Sequence, residues 1–106
     1  MAYNKMYSVE FAEETKRIAA TLLEEKKFEA QQHHKLLQDL KDDVAKKIIL
    51  LEMSQHCNEN VKKAKDDLDI AYDKYRKLEQ DSDYIAKSVE LQEEVEFLTI
   101  YVNAKR

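Results

Sequence analysis

The sequence contains no glycine and no proline in 106 residues. An ordinary chain of this length would have about a dozen of the two together. Glycine supplies the positive φ angles of tight turns, and proline supplies fixed ones. A fold with many turns, such as a sandwich or a barrel, is therefore excluded in practice, and so are glycine-rich phosphate loops. A few long helices remain.

Cysteine and apolar runs are also scarce. Cys57 is the only cysteine, so no disulfide can form within the chain. No stretch approaches the roughly 20 apolar residues of a membrane span, and residues 1–16 lack the apolar core of a secretory signal. We therefore expect a cytoplasmic, reduced protein.

Charge is abundant but mixed. Lys and Arg number 18, Asp and Glu number 22, and the net charge is −4, with acids and bases interleaved. Such a surface offers no broad basic face to nucleic acid or to anionic lipid. Charged residues are 38% and hydrophobic residues 43% of the chain, which is typical of helical bundles in which each helix buries one stripe.

The pattern predicts one helical domain over residues 1–106, divided by polar breaks. A helix is expected over about 8–54, with Ser8 as its N-cap, then a turn over 55–60 in which Asn58 and Asn60 tolerate left-handed backbone. A helix over about 61–80 follows. Residues 80–83 mark either a stutter or a second turn with an Asp or Ser cap, before a last helix over about 84–104.

Apolar residues at alternating intervals of three and four predict the core. One stripe consists of Leu37, Leu40, Val44, Ile48 and Leu51, and its partner stripe of Val61, Leu68, Ala71 and Tyr75. We expect these stripes to pack antiparallel, because short connections favour antiparallel neighbours. Ile48 to Leu51 is apolar around the whole helix, which predicts that it is enclosed on more than one side, by a third helix or by a second subunit.

The predicted fold class is all-α and coiled-coil-like, with two architectures left open. One is an elongated antiparallel helical hairpin, which places residues 97–102 beside the N-terminal end of the first helix and covers its exposed clusters by self-association. The other is a three-helix bundle, in which the last helix folds back and brings residues 97–102 against residues 48–51. Phe97, Ile100 and Tyr101 widen the apolar face near the C-terminus, and Ile49 and Tyr72 lie beside the predicted stripes. These five residues are the candidate interface.

No residue pattern indicates catalysis, a cofactor or a metal site. His33 and His34 are adjacent and point about 100° apart on a helix, so they cannot readily share a metal. His56 and Cys57 fall in the predicted turn, and no metal-ligand spacing accompanies them. The prediction is that the protein is not an enzyme.

Two stretches carry family resemblances. Ala30-Gln-Gln-His33, with Leu36, Leu40, Val44 and Ile48, resembles the second helix of BAR and F-BAR domains, and residues 62–79 are similar to their following helix. This likeness implies a membrane-surface module. Lys16-Arg17-Ile18, Gln31-Gln32, Lys35 and Ala71-Tyr72 are similar to landmarks of tubulin-binding cofactor A, which implies a small three-helix chaperone.

The leading hypothesis is a non-catalytic helical protein-interaction module: an adaptor, assembly factor or structural subunit. Its expected partners are proteins, either copies of itself or the other subunits of a complex, rather than nucleic acid or membrane. An extended amphipathic surface without convergent chemistry favours this class. A cofactor A-like chaperone, a BAR-like module and an inhibitor or regulator of a larger protein are the alternatives.

Overall fold

The structure is a computed structural model that describes residues 9–104, and these residues form three helices without a strand. The helices are α1 (Val9–Cys57), α2 (Val61–Glu79) and α3 (Ser82–Ala104). The all-α prediction is confirmed. The predicted N-cap Ser8 lies outside the described residues. Over the described residues the chain packs as two compact units, which we call unit 1 (residues 9–31 and 89–104) and unit 2 (residues 32–88).

Asparagine takes the place of glycine at the first turn. Asn58 and Asn60 have φ angles of 56° and 53°, in the left-handed region. The Glu59 N–H donates to the Ser54 carbonyl at 3.0 Å and the Asn58 N–H to the Gln55 carbonyl at 3.3 Å. These two bonds are the Schellman pattern, which satisfies the last carbonyls of a helix. Because the pattern needs Ser54 and Gln55 in the final turn, α1 runs to Cys57 rather than ending near residue 54.

A second turn, not a stutter, separates α2 from α3. The Asp81 carboxylate accepts hydrogen bonds from the backbone N–H groups of Asp83, at 2.8 Å, and of Tyr84, at 3.0 Å. The Asp81 carbonyl then accepts the first helical bond, from Ile85, at 3.0 Å. Asp81 is therefore the N-cap of α3, a position that its side chain favours strongly.

Within unit 2, the predicted stripes are largely the residues removed from water. Ala71 is buried. Seven further members of the two stripes are half-buried, namely Leu37, Leu40, Val44, Leu51, Val61, Leu68 and Tyr75. Ile48 is the exception, with 43% of its surface exposed. The interval of three after Val44 selects Lys47 instead, which is half-buried. A lysine is tolerated there because its apolar stem can pack while its ammonium group reaches water.

Within unit 1, the N-terminal half of α1 packs against the C-terminal half of α3. Ala19, Leu23 and Leu91 are buried. The Lys26 ammonium lies 2.9 Å from the Glu94 carboxylate across the two helices. Phe97, Leu98 and Tyr101 line a groove together with Ile18 and Leu22. This is the pairing that the hairpin alternative predicts for the C-terminal cluster.

Large apolar side chains are more often exposed than buried over residues 11–104. In the single chain Ile48, Ile49 and Leu50 are exposed and only Leu51 is half-buried, so a third helix does not enclose residues 48–51. Enclosure by a second subunit stays a prediction. None of the three helices over the described residues combines the length and the apolar character that crossing a bilayer requires.

Candidate functional site

An open apolar groove is a concave feature of unit 1. It has a volume of about 480 Å³ and lies between α1 and α3. Its lining residues are Phe11, Glu14, Thr15, Ile18, Ala19, Leu22, Phe97, Leu98 and Tyr101, and we call this set the apolar groove. Only Glu14, Thr15 and the hydroxyl of Tyr101 are polar. Glu14 is ion-paired with Arg17 on the same helix.

Helix periodicity explains the walls of the groove. Phe11, Ile18 and Leu22 recur at intervals of seven and four, which places them on one side of α1. Phe97 and Tyr101 are four apart on α3, and their ring centroids are 6.2 Å apart. The floor includes Ala19, whose small side chain allows the two helices to approach closely. The result is a wall of Phe97 and Tyr101 on α3 opposite a wall of Phe11, Ile18 and Leu22 on α1.

Two of the five predicted interface residues, Phe97 and Tyr101, line the groove. Phe97 is 65% exposed, whereas Tyr101 is half-buried. Ile100 is exposed on the same helix but does not line the groove. The predicted interface lacks Phe11, Ile18 and Leu22, because, of the two architectures that the sequence leaves open, only the hairpin places the last helix beside their segment.

Ile49 and Tyr72 belong to unit 2 and are both exposed. The Tyr72 ring lies 6.4 Å from the Tyr75 ring, and the Arg76 guanidinium lies 5.9 Å above it. Tyr72 thus has neighbours on its own helix that hold its ring at the margin of the stripe. The pKa of the Tyr75 phenol is raised, chiefly by a hydrogen bond with Glu79 and to a smaller extent by partial burial.

A second concave feature, in unit 2, is lined by a mixture of charged, polar and apolar side chains. It has a volume of about 340 Å³ and lies beside the first turn, with Lys47, Asp67 and Cys57 among its lining residues. The Cys57 thiol is free and exposed. His56 and Cys57 lie in the last turn of α1, not in the loop where the sequence suggested them. Because charged side chains are among its lining residues, this pocket is less suited to an apolar partner than the apolar groove is.

His33 and Tyr84 form a reciprocal polar pair in unit 2. The Tyr84 hydroxyl donates to the His33 carbonyl at 3.0 Å, and His33 Nε2 lies 3.0 Å from the Tyr84 carbonyl. Since a carbonyl can only accept, Nε2 carries a proton. The rings stack with centroids 4.1 Å apart. This pair fastens α1 to the start of α3, so the role of His33 is structural.

Metal-binding clusters are not found over residues 9–104: no group of three or more His, Cys, Asp or Glu side chains is placed to hold an ion.

Comparison with known proteins gives no relative. No family model, no curated protein and no solved structure matches the chain. The resemblances to BAR-type domains and to cofactor A stay predictions.

Proposed function

We propose that this protein is a non-catalytic helical interaction module that binds a protein partner through the apolar groove. The proposal is supported by the groove itself, where exposed aromatic and aliphatic side chains of two helices form one surface. Contiguous exposed apolar surface of this kind marks interaction sites in proteins. Aromatic residues such as Phe97 and Tyr101 are enriched at the centres of such interfaces.

Adaptor, assembly factor and structural subunit are the roles that suit such a module. In each role, the groove is covered only when the partner is present. A groove between two helices is the usual seat of an amphipathic helix, which inserts side chains at intervals of three and four. We expect the coiled-coil-like pairing of the helices to serve as the rigid support for that seat.

Self-association is a second element of the proposal, carried by a different surface. Unit 2 exposes Ile48, Ile49, Leu50 and Met53 in one segment of α1. Apolar side chains around a whole helix require more than one neighbour to cover them. A second copy or another subunit is the proposed cover, and the exposed thiol of Cys57 fits a reducing, cytoplasmic setting.

Affinity capture with a matched pair of variants tests the groove. Phe97→Ser removes an aromatic wall residue that is 65% exposed. Phe28→Ser removes a phenylalanine that is 61% exposed and lies outside the groove in the same unit. The tagged full chain and both variants are used to capture proteins from a lysate, which are quantified by mass spectrometry.

The expected result is a partner that the wild type and Phe28→Ser retain and that Phe97→Ser loses. Circular dichroism of the purified variants shows that each is folded before capture. Identical protein sets from all three baits would contradict the proposal.

A further inference from the structure

The apolar groove continues along both helices into acidic side chains. On α1, positions 11, 15, 18 and 22 line the groove, and Glu25 and Glu29 follow at the same intervals of three and four. Residues spaced in this way share one side of a helix. On α3, Tyr101 and Phe97 line the groove, and Glu94 and Glu90 continue that row.

The two acidic continuations meet across the helices. The Lys26 ammonium lies 2.9 Å from the Glu94 carboxylate and 3.5 Å from that of Glu29. A single lysine thus bridges one glutamate from each row. The pairing shows that the rows run side by side beyond the groove, and these contacts raise the pKa of Lys26, chiefly through the hydrogen bond with Glu94.

Carboxylates outnumber basic groups at this end. Lys87 continues the α3 row at an interval of three after Glu90, so four glutamates and two lysines leave a charge of −2 on the side chains Glu25, Glu29, Glu90, Glu94, Lys26 and Lys87. From the groove as far as Glu29 and Glu90, neither row contains a Lys or Arg, and α3 from Val89 to Ala104 has four glutamates and no basic residue. The surface therefore has an apolar end and an acidic end.

We infer that the occupant of the groove is a basic amphipathic helix of a partner protein. Its large apolar side chains insert between Phe97 and Ile18, and its Lys or Arg residues, some two turns further along, face Glu25 and Glu29. From residue 11 to residue 29 the row is about 27 Å long, which matches a helix of about 18 residues. This inference rests on the proposed function and names the partner class.

Charge complementarity favours this occupant over a second copy. A second copy that presented the same groove would bring rows in which glutamates outnumber lysines, so the acidic end would gain no net counter-charge. Complementary charge at the edge of an apolar interface sets orientation and discriminates against wrong partners.

Two synthetic peptides test the inference directly. Both are fluorescently labelled helices of about 18 residues, the length of the row. Both have leucines at intervals of three and four along one half, and the other half carries lysines in one peptide and glutamates in its match. Fluorescence anisotropy with the full chain is expected to show the lysine peptide binding about tenfold more tightly or better. That advantage is expected to shrink as salt is added.

Charge reversal locates the acidic contact. Glu25→Lys is expected to weaken the lysine peptide about fivefold, whereas Glu13→Lys, on another side of α1, changes its affinity by less than about twofold. Equal affinity for the two peptides, or equal effects of the two reversals, would overturn the inference.

Groove variants separate this inference from the proposed function. Phe97→Ser and, on the opposite wall, Ile18→Ser are each expected to lower the affinity for the lysine peptide, while Phe28→Ser leaves it unchanged. A second copy would be the occupant if light scattering showed that the wild type is a dimer, that Phe97→Ser dissociates it, and that the lysine peptide does not compete with dimer formation. That outcome overturns the basic helix and keeps the groove as an interaction site. Lysate capture unchanged by Phe97→Ser overturns the proposed function itself.

Discussion

Leu91→Ala is the sharpest test of the packing in unit 1. Leu91 retains 1% of its surface exposed, the lowest value among the buried apolar residues of the described chain. Truncation to alanine removes buried methyl and methylene groups worth about 0.8 kcal/mol each, and it leaves a cavity between rigid helices. We therefore expect a loss of about 3 kcal/mol of unfolding free energy, within the range measured for buried leucines.

Leu36→Ala is the matched control, because Leu36 is 55% exposed and the chemical change is identical. Its expected loss is below about 1 kcal/mol, since little transfer energy is removed and alanine has the higher helix propensity. Urea unfolding followed by circular dichroism measures both variants against the wild type. Domains of this size are stable by about 5–15 kcal/mol, so Leu91→Ala removes a large share. Equal losses for the two variants would refute the assignment of Leu91 to the core.

Three further predictions address the turn, the polar pair and the ion pair. Asn58→Ala keeps a β-carbon in left-handed backbone but removes the polar side chain that makes asparagine tolerant there, so it is expected to lower the unfolding free energy by about 1 kcal/mol. Asn58→Gly removes the β-carbon and is expected not to lower it, and urea unfolding measures both variants. Tyr84→Phe removes the hydrogen bond to the His33 carbonyl and is expected to cost about 1 kcal/mol in the same assay, and a midpoint equal to the wild type would contradict a stabilising role. Glu94 raises the pKa of Lys26, so the stability that this pair contributes is complete below the ordinary lysine pKa of about 10.4 and is lost as the pH rises through the raised value. Unfolding measurements in an alkaline pH series should show a steeper decline for the wild type than for Glu94→Gln. Parallel curves would contradict this prediction.

Much of the fold follows from spacing in the sequence. Intervals of three and four place Leu37, Val44 and Ala71 on stripes that the structure removes from water. The same intervals point to Lys47 rather than Ile48, but hydrophobicity alone favours isoleucine there, and the expectation for Ile48 was wrong. Spacing takes precedence over side-chain type in a narrow stripe, because a long polar side chain can bury its stem and still reach water.

The ends of the helices were harder to predict than their existence. Nothing apolar marks the last turn of α1, so its extension to Cys57 depends on backbone hydrogen bonds that form only once Asn58 is left-handed. Local sequence favours a turn near Asn58 but does not fix which carbonyls it caps.

The candidate site was predictable on one wall only. Phe97 and Tyr101 follow each other on one helix, and their periodicity is visible in the sequence. Phe11 and Ile18 become their neighbours through a pairing of residues about 80 apart along the chain, which local periodicity cannot report. Long-range pairing of helices is a tertiary property, and it creates the groove.

Site-specific photo-crosslinking tests the central claim, that the apolar groove holds a protein partner, most directly. A benzophenone amino acid replaces Phe97 in one version of the full chain and Phe28 in the other, and both are irradiated in cells. If a protein partner lies in the groove, we expect a discrete covalent adduct with a second polypeptide from position 97 and little adduct from position 28. No adduct from position 97, or the same adducts from both positions, would contradict it.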